Sequence, residues 1–461
     1  MLTMHDVAAG VGAQLLQPLP ALTSRSFSTV TIDSRTVAPG ALFVALRGER
    51  TDGHQHIAAA IRNGATGVLA QRWPEDVPAG LREQAVLFPV VDPLLALQKL
   101  ATHWRAQLGV RTVGVTGSVG KTSTKEAIAF LLARRFSVHK TTGNFNSEIG
   151  LPLVLLQLTP EHQKLVVEMA MHYPGDIALL CTIARPHVGV VTNVGPTHLE
   201  RVGSMQGIAD AKGELPASLP VDGVAVLNAD DPLVAAMASR TSAAVVFYGM
   251  TSDAHLRATE VRTHGLDGLT FDLAWQGERR SVRTRLIGRH NVYTALAAAA
   301  VALIEGMPLH EVCEGIAGLP DSTRVKLRHT RAGALVLDDT YNASPISVTA
   351  ALDLLADVPG RRVAILADML ELGAEEVPGH QQVGRHAARQ ADALIAIGPR
   401  SRAMADAALE AGLADVQHFA SKEDALDALR AQDHQGTVLL FKGSRGMALD
   451  ELADSLCDRA D

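Results

Sequence analysis

Apolar positions along this chain alternate between short β-branched runs and longer segments with helical spacing. In the first hundred residues, 29–33 and 41–46 read as strands with Pro39-Gly40 between them, and 57–62 and 94–108 carry helical periodicity. Further on, an apolar run ending at Val115 gives way to a glycine-rich turn and a helix, and 164–169 and 187–194 predict two more buried strands. Residues 206–215 carry helical spacing. Alternating segments at 257–261, 270–275 and 281–287, joined through Asp267-Gly268 and Gln276-Gly277, predict an antiparallel flap. Gly288-Arg289-His290-Asn291 then opens an Ala-rich helix to about residue 304, with Asn291 as its expected N-cap. From 334 on, strands at 334–338, 363–367, 394–397 and 438–441 alternate with helices at 348–355, 380–390, 401–411 and 422–430. The pattern predicts an α/β chain of three domains: a small N-terminal α/β domain over 1–95, a central parallel-sheet domain with the flap over 96–318, and a doubly wound, Rossmann-like domain over 319–461.

The turn after Val115 carries the most chemistry. Thr116-Gly117-Ser118-Val119-Gly120-Lys121-Thr122-Ser123 sits between a strand and a helix, the order of a phosphate cradle. Glycines let backbone N–H groups turn toward phosphate oxygens, the helix presents its positive end, Lys121 reaches the outer phosphates and Thr122 offers a hydroxyl to Mg²⁺. The common form of this loop has Gly where this chain has Val115, so an ordinary Gly-rich turn is the competing reading. The polar stretch 141–150, with Thr142, Asn144 and Asn146, is too long for a plain turn. Glu168 and His198 fall at or just beyond strand ends, where ligands bind in parallel sheets; each is a metal-ligand candidate or an ordinary capping residue. Lys212 by itself reads as a surface lysine. Asp33-Ser34-Arg35, Thr51-Asp52-Gly53-His54, the 338–345 loop with Asp339, Tyr341 and Asn342, and the 442–446 loop with Lys442 and Arg445 are further polar clusters at element ends.

Composition narrows the class. With 461 residues, 47% hydrophobic and only 4% aromatic, the chain is built on Ala, Val and Leu and is too long for one core. A net charge of −7 gives no electrostatic reason to expect nucleic acid as a partner. Three scattered cysteines, Cys181, Cys313 and Cys457, lack metal-ligand spacing and predict a reducing compartment. Asp6 interrupts the apolar N-terminus and no run reaches about 18 apolar residues, so a soluble, cytoplasmic, monomeric protein without membrane insertion is expected.

In order along nearly the whole chain, these motifs resemble the Mur ligases of bacterial peptidoglycan synthesis. T-G-S-V-G-K-T-S matches that family's variant phosphate loop, and I-D-S-R with the D-G-H cluster resembles its UDP-binding N-terminal domain. T-G-N-F-N-S-E-I-G-L-P and L-D-D-T-Y-N-A-S-P resemble the branch that adds D-alanyl-D-alanine, although Ser344 stands where Asn is common. The resemblance implies that ATP phosphorylates the terminal carboxylate of a UDP-N-acetylmuramoyl-tripeptide, after which the amine of D-alanyl-D-alanine attacks the acyl phosphate. It also implies roles: Lys121 on the phosphates; Thr122 and Glu168 on a first Mg²⁺; His198 on a second; and Lys212 as a metal-facing carbamate. The loop from Thr116 to Ser123 would hold ATP, with His290 and Asn291 at adenine and Arg324 and Asp339 at ribose or phosphate. Ser34, Arg35 and His54 become candidates for the UDP-sugar, and Thr142, Asn144, Asn146, Tyr341, Asn342, Lys442 and Arg445 for the other substrate contacts. A tripeptide-forming or folyl-polyglutamate-type ligase is the enzymatic alternative, and a non-catalytic nucleotide-binding partner protein the other.

Overall fold

A computed structural model describes residues 1–12, 26–48, 51–197, 199–320 and 325–457. Its strands form three main sheets, of four, nine and six strands, with a two-stranded ribbon at the start of the chain. The four-stranded sheet (Val30–Thr31, Ala41–Val44, Ala65–Ala70, Val86–Pro89) is parallel and follows chain order. Asp6, which breaks the apolar start of the sequence, closes a capping box with Thr3 at the head of the helix Met4–Val11.

The helix Pro93–Leu108 begins at Asp92, whose carboxylate accepts from the N–H groups of Leu94 and Leu95, and ends at Gly109 in the left-handed region. Its apolar stripe is shared. Leu97, Leu100 and Trp104 belong to one continuous core that runs from Leu2, Phe27 and Phe88 to Leu151, Leu180 and Val191. The residue pair 95/96 lies inside this helix.

The nine-stranded sheet places the strand Arg111–Thr116 between Val188–Val191 and Lys164–Glu168, all parallel. The predicted flap is a continuation of this sheet. Ala244–Gly249 pairs in parallel with Leu256–Thr263 at Tyr248 and Gly249, and Leu269–Trp275 and Glu278–Thr284 then extend the sheet antiparallel. Its buried face, with Leu256, Phe271 and Val282, closes on the helix Asn291–Ile304, whose six alanines from 295 to 302 are all below 1% exposed. Small side chains let that helix be enclosed on every side.

The six-stranded sheet runs Lys326–His329, Leu335–Asp338, Thr437–Lys442, Arg361–Ala367, Ala393–Ile397, Val416–Phe419. The first strand is antiparallel and the rest are parallel, the doubly wound pattern expected from the sequence. The two edge strands were not expected: both are short, Lys-Leu-Arg-His is largely exposed and Val-Gln-His-Phe is half-buried throughout, so neither shows a buried run.

Packing here fixes one test. An added Cβ at Gly384, in the helix Glu376–Gln390, would lie 2.0 Å from the Met404 carbonyl oxygen of the neighbouring helix Arg402–Glu410, a backbone atom. Gly384→Ala is expected to destabilise residues 376–410 by about 1–3 kcal/mol, read as faster native-state hydrogen exchange there. Gly80→Ala, at a helical glycine with nothing within 4 Å, is expected to be neutral or slightly stabilising.

Candidate functional site

Val115 belongs to the strand. Its side chain is fully buried in the same core as Ala127 and Ile128, which is why the loop begins only at Gly117. Gly117 (φ 146°) and Gly120 (φ 82°) take conformations that side chains disfavour, and Gly120 heads the helix Lys121–Leu132 with no side-chain cap. The first N–H groups of that helix are thereby left for an anion. The loop is held from behind by the segment after Val188–Val191. Ser118 N–H donates to the Asn193 carbonyl (2.9 Å), Val119 N–H donates to Asn193 Oδ1 (2.9 Å), and Ser118 Oγ accepts from Gly195 N–H (2.8 Å). Thr192 Oγ1 and Asn193 Nδ2 both donate to the Val119 carbonyl. Thr192, Asn193 and Gly195 were not among the residues singled out from the sequence; their signal was only a polar cluster at a strand end. Lys121 Nζ folds over the loop and donates to the carbonyls of Gly117 (2.8 Å) and Ser118 (3.2 Å). Thr116, expected at the nucleotide, is fully buried and its hydroxyl donates to the Met169 carbonyl (2.9 Å), tying two strand ends together.

One strand over, Val115 and Glu168 are register partners, which brings Glu168 beside the loop. Thr122 Oγ1 donates to Glu168 Oε2 (2.8 Å) and Asn146 Nδ2 donates to Oε1 (2.9 Å). Asn146, expected at the substrate, therefore orients Glu168. Buried Lys125 donates to the Thr141 carbonyl (2.7 Å) and Thr141 Oγ1 accepts the Glu168 N–H (3.1 Å), fixing the base of that carboxylate. Thr142 and Asn144 are exposed on the same loop. Among the described residues no group of three or more His, Cys, Asp or Glu side chains could hold a metal by itself. One hydroxyl and one carboxylate fit a Mg²⁺ ion that completes its shell with water and phosphate oxygens. Lys212 ends the helix Met205–Lys212, buried to 2% exposure, which corrects its reading as a surface lysine. Burial, and secondarily the nearby Lys121, push its ammonium well below the usual lysine range, so the neutral amine is favoured. His198 and Arg324 lie outside the described residues.

A cavity of about 310 Å³ opens beside the loop, lined by Val119, Ser123, His290, Asn291, by Asp339, which follows the strand Leu335–Asp338 of the six-stranded sheet, and by Ile346 of the helix Pro345–Ala356. Asn291 is the first helical residue and not the cap: its Nδ2 donates to the Ile287 carbonyl (2.7 Å) and its Oδ1 accepts from Thr294 Oγ1, while His290 stands at the exposed rim. Asp230, also on the cavity wall, accepts from the N–H groups of Met250 and Thr251 and from the Tyr293 hydroxyl (2.9 Å). Burial and that bond raise the Tyr293 phenol, so it stays a donor.

Lys442, at 0% exposure, donates to Asp339 Oδ2 (2.6 Å) and the Asn342 carbonyl (2.9 Å). It serves Asp339 rather than an exposed substrate surface. Tyr341 and Asn342 are exposed above it, and the Arg445 guanidinium lies 5.9 Å from the Tyr341 ring centroid. Ser344 caps the helix Pro345–Ala356 in a reciprocal box with Ser347, so serine satisfies the position where Asn is common. In the N-terminal sheet region Arg35 pairs with Asp33 (2.7 Å) and holds that carboxyl down at about 2. The Ser34 carbonyl accepts from Asn63, and the His54 ring is bound by Asp52 (2.7 Å) and the Gln71 N–H (3.3 Å). These three candidates are engaged within their own sheet, apart from the cavity.

Residues 26–105, 115–302 and 323–445 match, in turn, the Mur ligase family catalytic domain, the Mur ligase middle domain and the Mur ligase glutamate ligase domain. The chain belongs to the Mur ligase family. It is 38% identical to the UDP-N-acetylmuramoyl-tripeptide–D-alanyl-D-alanine ligase of Mycobacterium tuberculosis, covering 99% of this chain and 97% of that one. It is 37% identical to the Escherichia coli enzyme of the same name over 94% of each. Among solved structures it resembles MurF from Acinetobacter baumannii (TM-score 0.88, 30% identity, 99% and 98% coverage). It also resembles the MurF ligase of Thermotoga maritima in complex with ADP (TM-score 0.81, 29% identity, 93% and 96% coverage). A folylpolyglutamate synthase of M. tuberculosis shares the fold at 19% identity and TM-score 0.60, over 80% of this chain and 95% of that one.

The Lys442–Asp339 pair yields a stability test. Lys442→Met strands a buried carboxylate and is expected to cost about 3–5 kcal/mol, whereas adding Asp339→Leu recovers most of that loss in chemical denaturation.

Proposed function

We propose that this chain is an ATP-dependent amide ligase that joins D-alanyl-D-alanine to the terminal carboxyl of a UDP-N-acetylmuramoyl-tripeptide. The observation that carries the reading is one cavity walled by the phosphate loop and by Asp339, which follows a strand of another sheet, with the Thr122–Glu168 pair at the head of the helix that the loop opens, in a chain that matches the relatives along nearly their full length. A carboxylate is a poor electrophile, and phosphorylation supplies the leaving group that lets an amine attack. No side-chain nucleophile is required. Lys121 and the N–H groups at the head of its helix stabilise the charge on the transferring phosphoryl group. Thr122 and Glu168 would hold a Mg²⁺ ion, with His198 at a second, and such ions neutralise phosphate charge.

In the same reading, residues 1–95 receive the UDP-sugar through Ser34, Arg35 and His54, residues 96–318 hold ATP, and residues 319–461 receive the dipeptide and complete the nucleotide site with Arg324 and Asp339. His290 and Asn291 face adenine. Thr142 and Asn144 remain as substrate contacts on the exposed loop. Lys212 meets the requirement for a carbamate, an amine that has lost its proton before it meets CO₂. Three buried free cysteines suit a reducing cytoplasm, and no helix among the described residues is long and apolar enough to cross a membrane; a monomer is part of the same reading.

Phosphate release by the purified protein with ATP, Mg²⁺, UDP-N-acetylmuramoyl-tripeptide and D-alanyl-D-alanine is the deciding assay. Release with a single amino acid but not with the dipeptide would sink the assignment in favour of a tripeptide-forming ligase. Lys121→Ala is expected to lower kcat by at least about 10³-fold. Lys212→Ala is expected to lose activity that a small added carboxylate partly restores. With ¹³C-bicarbonate, the wild-type protein should show a carbamate carbon resonance that the variant lacks; its absence from both would refute the carbamate.

A further inference from the structure

We propose that Arg445 is the residue that binds the carboxylate of the incoming dipeptide, and so sets the acceptor's charge requirement. The inference rests on the dipeptide reading above. D-alanyl-D-alanine carries one anionic group, its carboxylate, and the reaction must leave that group unreacted while the amine at the other end attacks. A cation in the acceptor region has to meet it.

At and beyond the carboxyl ends of the six-stranded sheet most described cations already have carboxylate partners. Lys442 is bound to Asp339 (2.6 Å), Arg400 to Glu376 (2.9 Å), Arg402 to Asp406 (3.0 Å) and Lys422 to Glu451. Arg445 differs. Its ion pair, 4.0 Å to Asp450, is the longest of these, and its side chain, 70% exposed, is the most open. The exposed Tyr341 ring beneath it, 5.9 Å from the guanidinium, presents a flat face that restricts the side chain without engaging its N–H fork. That fork matches a carboxylate in bidentate geometry.

The position suits the reaction. Leu335–Asp338 and Thr437–Lys442 are neighbouring parallel strands, so their outgoing loops, carrying Tyr341 and Arg445, emerge together. Lys442 holds Asp339 on the cavity wall, and Arg445 follows three residues later, a span of at most about 10 Å. An extended dipeptide measures roughly 7 Å from amine to carboxylate. Anchored at Arg445, its amine reaches back toward the sheet end that carries Asp339.

The test compares two acceptors, D-alanyl-D-alanine and its uncharged C-terminal amide, in phosphate-release kinetics. Arg445→Ala should raise KM for the dipeptide on the order of 10- to 100-fold, the range for losing a charge-assisted hydrogen bond, with KM for ATP unchanged. The wild-type protein should show a similarly raised KM for the amide, and Arg445→Ala should match it there. Arg445→Lys should restore part of the preference for the charged acceptor. An equal loss on both acceptors, or an unchanged KM for the dipeptide, overturns the inference while leaving the ligase reading intact. A wild-type protein that does not use the dipeptide at all overturns both.

Discussion

The lock between residues 117–119 and 192–195 is the constraint on which the site depends. A glycine-rich loop with exposed N–H groups has no intrinsic reason to keep one shape, and its conformational freedom opposes any ordered cradle. Here six hydrogen bonds with the neighbouring strand end fix it before any ligand arrives. The closeness of that support is visible at Gly117, where even a Cβ would come within 1.9 Å of Thr192 Oγ1. Preorganisation of this kind places the cost of ordering in folding rather than in binding.

From that lock the rest follows by register. Pairing Val115 with Glu168 on one side and with Val190 on the other brings three strand ends to one level, so Thr122 meets Glu168 and Asn193 meets Val119 without any long-range adjustment. Glu168 is then gripped from three directions, by Thr122, Asn146 and Thr141. At 4% exposure its carboxylate has little water to bond, and Thr122 and Asn146 supply donors in its place. Lys212 has the opposite environment, burial beside another cation, which pushes its ammonium well below the usual lysine range.

Much of this was legible in the sequence because strand, loop and helix signals carry local physics. The three-sheet architecture and the loop spelling could be read from spacing. What could not be read was which polar groups face each other. Thr116 and Lys442 have the composition of ligand contacts, yet one clamps two strands and the other neutralises a buried aspartate a hundred positions away in sequence. Lys212 looked like a solvated residue because nothing in Ala-Lys-Gly-Glu shows that its helix end is covered. The antiparallel segment read as a flap because hairpin chemistry is local, whereas its joining to the central sheet depends on two residue pairs at Tyr248 and Gly249.

The six-stranded sheet meets the central one through small, close contacts. Ile346 lies 2.4 Å from where a Cβ on Gly195 would be, and Gly195 is the same residue whose backbone holds Ser118. The Glu371 carbonyl accepts from Glu200 N–H at 3.5 Å, and Arg201 approaches Glu371 at 3.8 Å with both side chains about 40% exposed. A half-exposed pair at that distance contributes at most about 1 kcal/mol. Ile287 adds an apolar contact, buried in the same cluster as Leu337, Ala343 and Val348, and the Ile346 contact touches the backbone that shapes the phosphate loop. The phosphate loop is thereby mechanically connected to the part of the chain that carries Asp339, since a shift of Ile346 against Gly195 bears on the backbone that holds Ser118.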